Sequence, residues 1–288
     1  MVEGRLTPGS VEWRGRVTAS KVGAILGISP FKSQYAMWHE MAGLVEPDSI
    51  DSNDAKFGHF AELMLGPWWE SEEDGRNLGE HEPSFENERG WVATPDYVAE
   101  DSDGTACVVE CKTTKDFDDW ADGDGNPAVP SHYYAQVLFQ MALAKVGHAY
   151  VVVLGPFKQI EIHRIEFDPE LWTGIEQRLV DWETSLEKGV APDLDTEPST
   201  LATVRKLHRD ITRNKEIEVD PALAAKFVDA KTNLDEAQKR YNAYEIVGRD
   251  LMEDAHRMMC DGVKIADRRG NSHGSTSFVV NKKAVVPE

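Results

Sequence analysis

One segment constrains the fold of this chain more than any other: TACVVECKT, residues 105–113. Asp103-Gly104 before it is a turn signal, and the β-branched run that follows reads as a strand. Side chains alternate across a strand, so Val108, Glu110 and Lys112 share one face, and Cys107, Val109 and Cys111 share the other. An acid and a lysine two positions apart on one face of an otherwise apolar strand need a structural or a chemical explanation.

The flanking segments supply the architecture. VTASKVGAILGIS reads as a short helix capped by Thr18 or Ser20, and Ser33 caps a second, QYAMWHEMAGL, which ends at Gly43. A third helix runs from about Asn53 through FGHFAELML, with Gly66-Pro67 expected to kink or stop it. RGWVAT and YVAE are expected strands. PSHYYAQVLFQMALAKVG is a helix, AYVVVLG and QIEIHRIEF form a hairpin about Gly155-Pro156, and Asp168-Pro169 opens an amphipathic helix ending at Gly189. Helices, three strands, a helix, two strands and a helix predict an α+β core, with a central mixed β-sheet flanked by helices. Proline, acid and small polar residues cluster in VAPDLDTEPST, so we place a domain boundary there: a core over 1–194 and an appendage over 195–288. In the appendage a long charged helical stretch reaches Met259, and VKIADRRGNSHGSTSFVV alternates like a β-hairpin.

Asp96 follows Thr94-Pro95 at the end of the preceding strand, where its carboxylate can come beside Glu110. Two carboxylates and the backbone carbonyl of Cys111 make an all-oxygen set suited to Mg²⁺ or Mn²⁺. Lys112 would then position or deprotonate a water, provided burial lowers its pKa. Other acid-x-Lys triplets, at Asp54 and Asp229, fall in helical contexts where positions two apart do not share a face. Glu62 sits in a nearly continuous apolar helical run, where an unpaired carboxylate is costly to bury, so it is a candidate metal ligand, directly or through water. Gln136, one turn from Tyr133 and from Gln140, can hydrogen-bond the attacking water, and all three can contact a DNA backbone. The plainer reading of each is a polar residue on the edge of a core helix or strand.

The formal net charge is −20, opposite to that of a protein that coats nucleic acid. The acid is concentrated between Glu70 and Asp103, whereas basic residues gather at Arg5, Arg14, Arg16 and Lys21 and again from Arg205 to Lys215, so a locally basic channel within an acidic shell is compatible with DNA. Cys107, Cys111 and Cys260 are too few for an iron–sulfur cluster or a disulfide framework. No apolar run approaches membrane-spanning length and the opening MVEGRLTPGS lacks a signal-peptide core, so a cytoplasmic protein is expected.

In order, VTASKVGAILGISPF, GHFAE, TPDY, VECK and YYAQVLFQM resemble the lambda-exonuclease/YqaJ family of viral recombinases, within the restriction-endonuclease-like PD-(D/E)XK superfamily. The likeness covers about residues 11 to 190. It implies that Glu62, Asp96, Glu110, Lys112 and Gln136 form a nuclease centre, with the Cys111 carbonyl as a further metal ligand. It also implies a DNA-end pocket for a 5′-phosphate, built from Thr18, Ser20 and either Arg14 or Arg16. The implied activity is Mg²⁺-dependent 5′→3′ digestion of one strand of linear double-stranded DNA, in a phage-type recombination pathway. The 3′ overhang would pass to a single-strand annealing protein. A homo-oligomer is implied, and the best-known member is a ring-shaped trimer; the extension after Ala191 puts that ring in doubt here. A repair nuclease or endonuclease on the same fold, and a non-catalytic DNA-binding or assembly module, are the competing readings.

Overall fold

The computed structural model describes residues 10–47, 53–126, 128–270 and 276–286. Arg5 with most of the opening segment, and the turn of the expected C-terminal hairpin at 271–275, lie outside them. Two compact units divide at Ile211/Thr212.

In the first unit, helices α1 (Val11–Gly15), α2 (Ala19–Ile25), α3 (Gln34–Met41) and α4 (Asn53–Ser71) precede a five-stranded sheet. Its strands are β1 (Asn77–His81), β4 (Tyr97–Glu100), β5 (Ala106–Thr113), β6 (His148–Leu154) and β7 (Ile160–Glu166), adjacent in that order. A two-stranded ribbon, β2 (Phe85–Glu86) and β3 (Val92–Ala93), lies between β1 and β4 in the chain. Neighbours in the main sheet are antiparallel except β5 and β6, which are parallel. Parallel neighbours need a crossover, and α5 (Ser131–Ala144) supplies it. Helices α6 (Pro169–Lys188) and α7 (Pro198–Leu207) complete the unit.

The alternation of β5 divides the core in two. Val108, Val151 and Val153 pack with α2, α3, α5 and α6, whereas Cys107, Val109, Cys111, Tyr150 and Val152 pack with Ala61, Leu65 and Trp69 of α4. Helices therefore cover both faces of the sheet, and an α+β mixed-sheet architecture is what the chain adopts.

Four local expectations changed in the fold. Helix α4 continues through Gly66-Pro67 to Ser71, because fully buried Leu65 and Trp69 anchor it on both sides of the proline. Gly66 is needed there: a Cβ would lie 2.5 Å from the Tyr97 ring. Strand β1, NLGEH, went unseen because it is a mostly exposed edge strand with one intermediate apolar side chain, and so lacks the alternation that marks a half-buried strand. Helix α7, expected in the appendage, packs with the first unit: Ser33 Oγ and Thr200 Oγ1 share a buried 2.6 Å hydrogen bond.

In the second unit α8 (Pro221–Met252) precedes β8 (Arg257–Cys260), β9 (Val263–Gly270) and β10 (Thr276–Val280), an antiparallel three-stranded sheet. The expected hairpin is β9–β10. The helical stretch ends at Met252 instead of Met259, since Arg257–Cys260 pairs as a strand with β9. No helix among the described residues is long and apolar enough to cross a membrane.

Candidate nuclease centre

Strand β5 outruns β4. Their pairing ends at Tyr97↔Val109, leaving residues 110–113 with an unpaired edge on that side. Asp96, immediately before β4, turns its carboxylate into this gap and accepts the Cys111 N–H at 2.6 Å. A residue's N–H and C=O share one edge of an extended strand, so the Cys111 carbonyl faces the same gap.

On the α5 side, Glu110 is 2% exposed. Its Oε1 accepts from Lys112 Nζ and Gln136 Nε2, each at 2.5 Å, and its Oε2 accepts from Gln140 Nε2 at 2.8 Å. Gln136 and Gln140 are one turn apart on α5, so the helix holds both oxygens of one carboxylate. Tyr133, a turn earlier, places its ring 5.2 Å from Lys112 Nζ. Glu62 reaches the site from α4. Its backbone carbonyl accepts from Tyr97 Oη at 3.2 Å, and its carboxylate lies 3.3 Å from His59 Nδ1. Glu62, Cys111, Lys112 and Tyr133 line a cavity of about 160 Å³.

The carboxylates crowd one another. Burial, and then the charge of Glu110, hold Asp96 well above the usual carboxylate range. Glu62 is raised by burial, with Glu110 adding to it against the pull of His59 and Lys112. Burial alone would depress Lys112, but Glu110 and Asp96 outweigh it and keep the ammonium charged. The condition that burial lowers the Lys112 pKa is therefore not met, since two carboxylates stabilise its charge more than desolvation penalises it. Among the described residues no three His, Cys, Asp or Glu side chains stand at metal-ligand spacing: Asp96 is drawn to Cys111, Glu110 to its three donors and Glu62 to His59. The donors are nonetheless all oxygen and carry more negative charge than Lys112 balances, which fits a hard divalent cation.

Gln140 is fully buried. It orients Glu110 and cannot touch DNA, a correction to its expected role; the spacing of Gln136 and Gln140 was the signal available for this. Trp120, in the loop between β5 and α5, is 4% exposed and packs against Tyr133 and His163.

The expected end pocket starts at the N-terminus of α2. Thr18 is its N-cap, and Thr18 Oγ1 lies 3.3 Å from Ser20 Oγ. Arg14 pairs with Glu46, and Arg16 Nη1 lies 2.6 Å from Glu86. Lys21 was not singled out as a site residue. It is 4% exposed, and its ammonium donates to the carbonyls of Trp13, Arg14 and Arg16 at 2.6, 2.9 and 2.8 Å. Burial pushes Lys21 down to about 7, with Glu40 opposing, and the three acceptors favour the protonated form. A lysine inside the apolar run ASKVGAIL was the visible sign. Helix α2 packs on α5 at Gly23, where a Cβ would lie 2.9 Å from His132 Cβ.

Residues 12–146 match the model of the YqaJ-like viral recombinase domain. The matched segment runs from within α1 to just beyond α5 and so contains every side chain described in this section up to Gln140. The chain is also 23% identical over 259 residues to the YqaJ protein of Bacillus subtilis (strain 168), covering 85% of this chain and 77% of that protein. Among solved structures it is similar to the alkaline exonuclease LHK-Exo from Laribacter hongkongensis, at 20% identity and a TM-score of 0.48, covering 61% of this chain and 90% of that one. A phage-related exonuclease from Haemophilus somnus 129PT is 15% identical with a TM-score of 0.47, covering 61% and 95%.

Proposed function

We propose that the YqaJ-like domain is a metal-dependent deoxyribonuclease that digests linear double-stranded DNA from the 5′ end. One observation carries this reading: a strand that outruns its neighbour presents Glu110, the Cys111 backbone and Lys112 beside Asp96, and Cys111 and Lys112 line a cavity together with Glu62.

Asp96, Glu110 and the Cys111 carbonyl would hold a divalent cation, Mg²⁺ or Mn²⁺, with Glu62 contributing directly or through water. When bound, such an ion polarises a phosphate oxygen and lowers the pKa of a bound water. The chain's own residues do the rest. Gln136 and Gln140 keep both oxygens of Glu110 in place, so the carboxylate need not reorganise when substrate arrives. Lys112, charged and lining the cavity, offers N–H donors to a phosphate oxygen or to the attacking water. Tyr133 limits where that ammonium can move.

At the proposed end pocket, the hydroxyls of Thr18 and Ser20 at a helix N-terminus, with Arg14 or Arg16, suit a 5′-phosphate. Each arginine is paired with a glutamate, so phosphate binding would exchange one anion for another at that guanidinium. The 3′ single strand left behind is the substrate an annealing protein would require.

The test uses 5′-phosphorylated linear duplex labelled at either end, beside covalently closed circular DNA, with Mg²⁺ or with chelator. Loss of nucleotides from the 5′-labelled end, an intact circle and full dependence on the ion are expected, and Lys112→Ala abolishes turnover while the protein stays folded. A fully active Lys112→Ala variant refutes the assignment. Cleavage of the circle replaces exonuclease with endonuclease.

A further inference from the structure

Within the second unit, helix α8 carries a heptad repeat that the β8–β10 sheet leaves largely uncovered. Leu223, Phe227, Ala230, Leu234, Ala237, Tyr241 and Tyr244 recur at alternating spacings of four and three residues, the 3.5-residue period of a coiled-coil seam. The side chains concerned are open to solvent: Phe227 is 67% exposed, Leu234 61%, Tyr241 41% and Tyr244 73%. Within α8 only Gly248 and Met252 are buried. The β8–β10 sheet covers the last turns, where a Cβ at Gly248 would lie 2.9 Å from the Phe278 ring, and it stops short of Tyr244. The helix itself is well defined, with Pro221 in its first turn and Asp220 accepting from the N–H groups of Ala222 and Leu223. A 32-residue helix with such a face normally owes its stability to packing.

We propose that α8 pairs with α8 of a second copy of this chain as an antiparallel two-stranded coiled coil. The period selects a helix as the partner, because a 3.5-residue seam meshes only with another such seam. The direction follows from the sequence. A parallel pair stacks Ala230 on Ala230 and Tyr241 on Tyr241 of the partner subunit, small on small and large on large. The antiparallel register that overlaps the whole free seam places Leu234 over Ala237 of the partner subunit, Tyr241 over Ala230 of the partner subunit and Phe227 over Tyr244 of the partner subunit. Two of those layers set a large side chain against a small one, which fills a core evenly, and antiparallel helix dipoles attract. The apolar surface hidden by two chains is on the order of 1,000 Å², enough for a specific dimer when well packed. The pairing is independent of the nuclease reading, because α8 contains none of the residues assigned there.

Light scattering on the full chain at micromolar concentration should give at least twice the mass of the Leu234→Glu protein. Leu234→Glu, which is exposed within one chain and so leaves the fold intact, should weaken the dimer about 100-fold or more, as expected when a charge enters a symmetric core twice. Orientation is read by mixing Leu234→Cys protein with Ala237→Cys protein under oxidation, wild type controlling for Cys260. A crosslinked dimer from the mixture, with little from either variant alone, is the expected result. A chain that is monomeric at these concentrations, or an assembly whose mass Leu234→Glu leaves unchanged, overturns the pairing. Efficient crosslinking of Ala237→Cys with itself overturns the antiparallel direction.

Discussion

Asp101 is the most consequential buried charge outside the candidate centre, and replacing it by asparagine tests how the sheet is held together. The carboxylate is 2% exposed. It accepts from Tyr150 Oη at 2.7 Å, Ser102 N at 2.8 Å, Arg164 Nη1 at 3.0 Å, His148 Nε2 at 3.1 Å and Arg76 Nε at 3.3 Å. These donors come from β6, β7, the β4–β5 turn and the segment after α4, so one anion ties four parts of the unit. Burial raises Asp101, but the hydrogen bonds from Tyr150, Ser102 and Arg76 outweigh it and lower it from 3.8 to about 2. That shift is worth roughly 2 kcal/mol. Asp101→Asn also leaves the Arg76 guanidinium, 7% exposed, without its buried counter-charge, and breaking a buried pair costs about 3–5 kcal/mol. We expect a loss of about 3 kcal/mol, or roughly 6–12 °C in Tm for a unit of this size, with the proposed nuclease activity of the folded protein at 20 °C unchanged. The folded value lies below the unfolded one, so this stability is present above pH 4 and is lost as pH falls through about 2. Calorimetry of both proteins should therefore show a gap that is full at pH 7 and narrows below pH 4. A Tm within 1 °C of wild type at pH 7 would refute the reasoning.

Three further outcomes are expected. Gln140→Leu removes one donor to Glu110 and a buried carbonyl oxygen that has no partner; kcat should fall about 10–100-fold with Tm unchanged or raised, and a fall in Tm without loss of kcat would contradict it. Lys21→Met strips three backbone carbonyls of their donor, so stability should drop by about 1–3 kcal/mol. If Lys21 braces Arg14 and Arg16, KM for 5′-phosphorylated ends should rise more than for 5′-hydroxyl ends, and an equal change would mean a structural role only. Gly66→Ala drives a methyl into the Tyr97 ring, and the overlap should exceed the helix-propensity gain, for a net loss of about 1–2 kcal/mol by urea denaturation; a stabilised variant would show that the ring can move.

Much of the centre was legible because strand alternation is a local rule. Glu110 and Lys112 on one face, with Cys107, Val109 and Cys111 on the other, followed from the period of two, and the core divides along that line. Helix caps were equally local: Ser33 Oγ accepts the Ala36 N–H at 3.1 Å, and Asp168 accepts from Glu170 and Leu171. Edge strand β1 escaped notice because its pairing energy lies in backbone bonds to β4, which no side-chain pattern reports.

What the amino-acid order determined alone was which side chains share a face, where helices begin, and that a seam of period 3.5 runs along α8. Tertiary structure decided what each charge meets. Lys112 remains an ammonium because Glu110 beside it, and then Asp96 brought in from before β4, outweigh its burial, Gln140 orients a carboxylate because α5 seats it over Glu110, and Pro67 is tolerated because Leu65 and Trp69 on either side of it are buried. Local periodicity depends on neighbours in the chain, whereas the electrostatic environment of a buried group depends on neighbours in space, and these come together only when the sheet and its helices close.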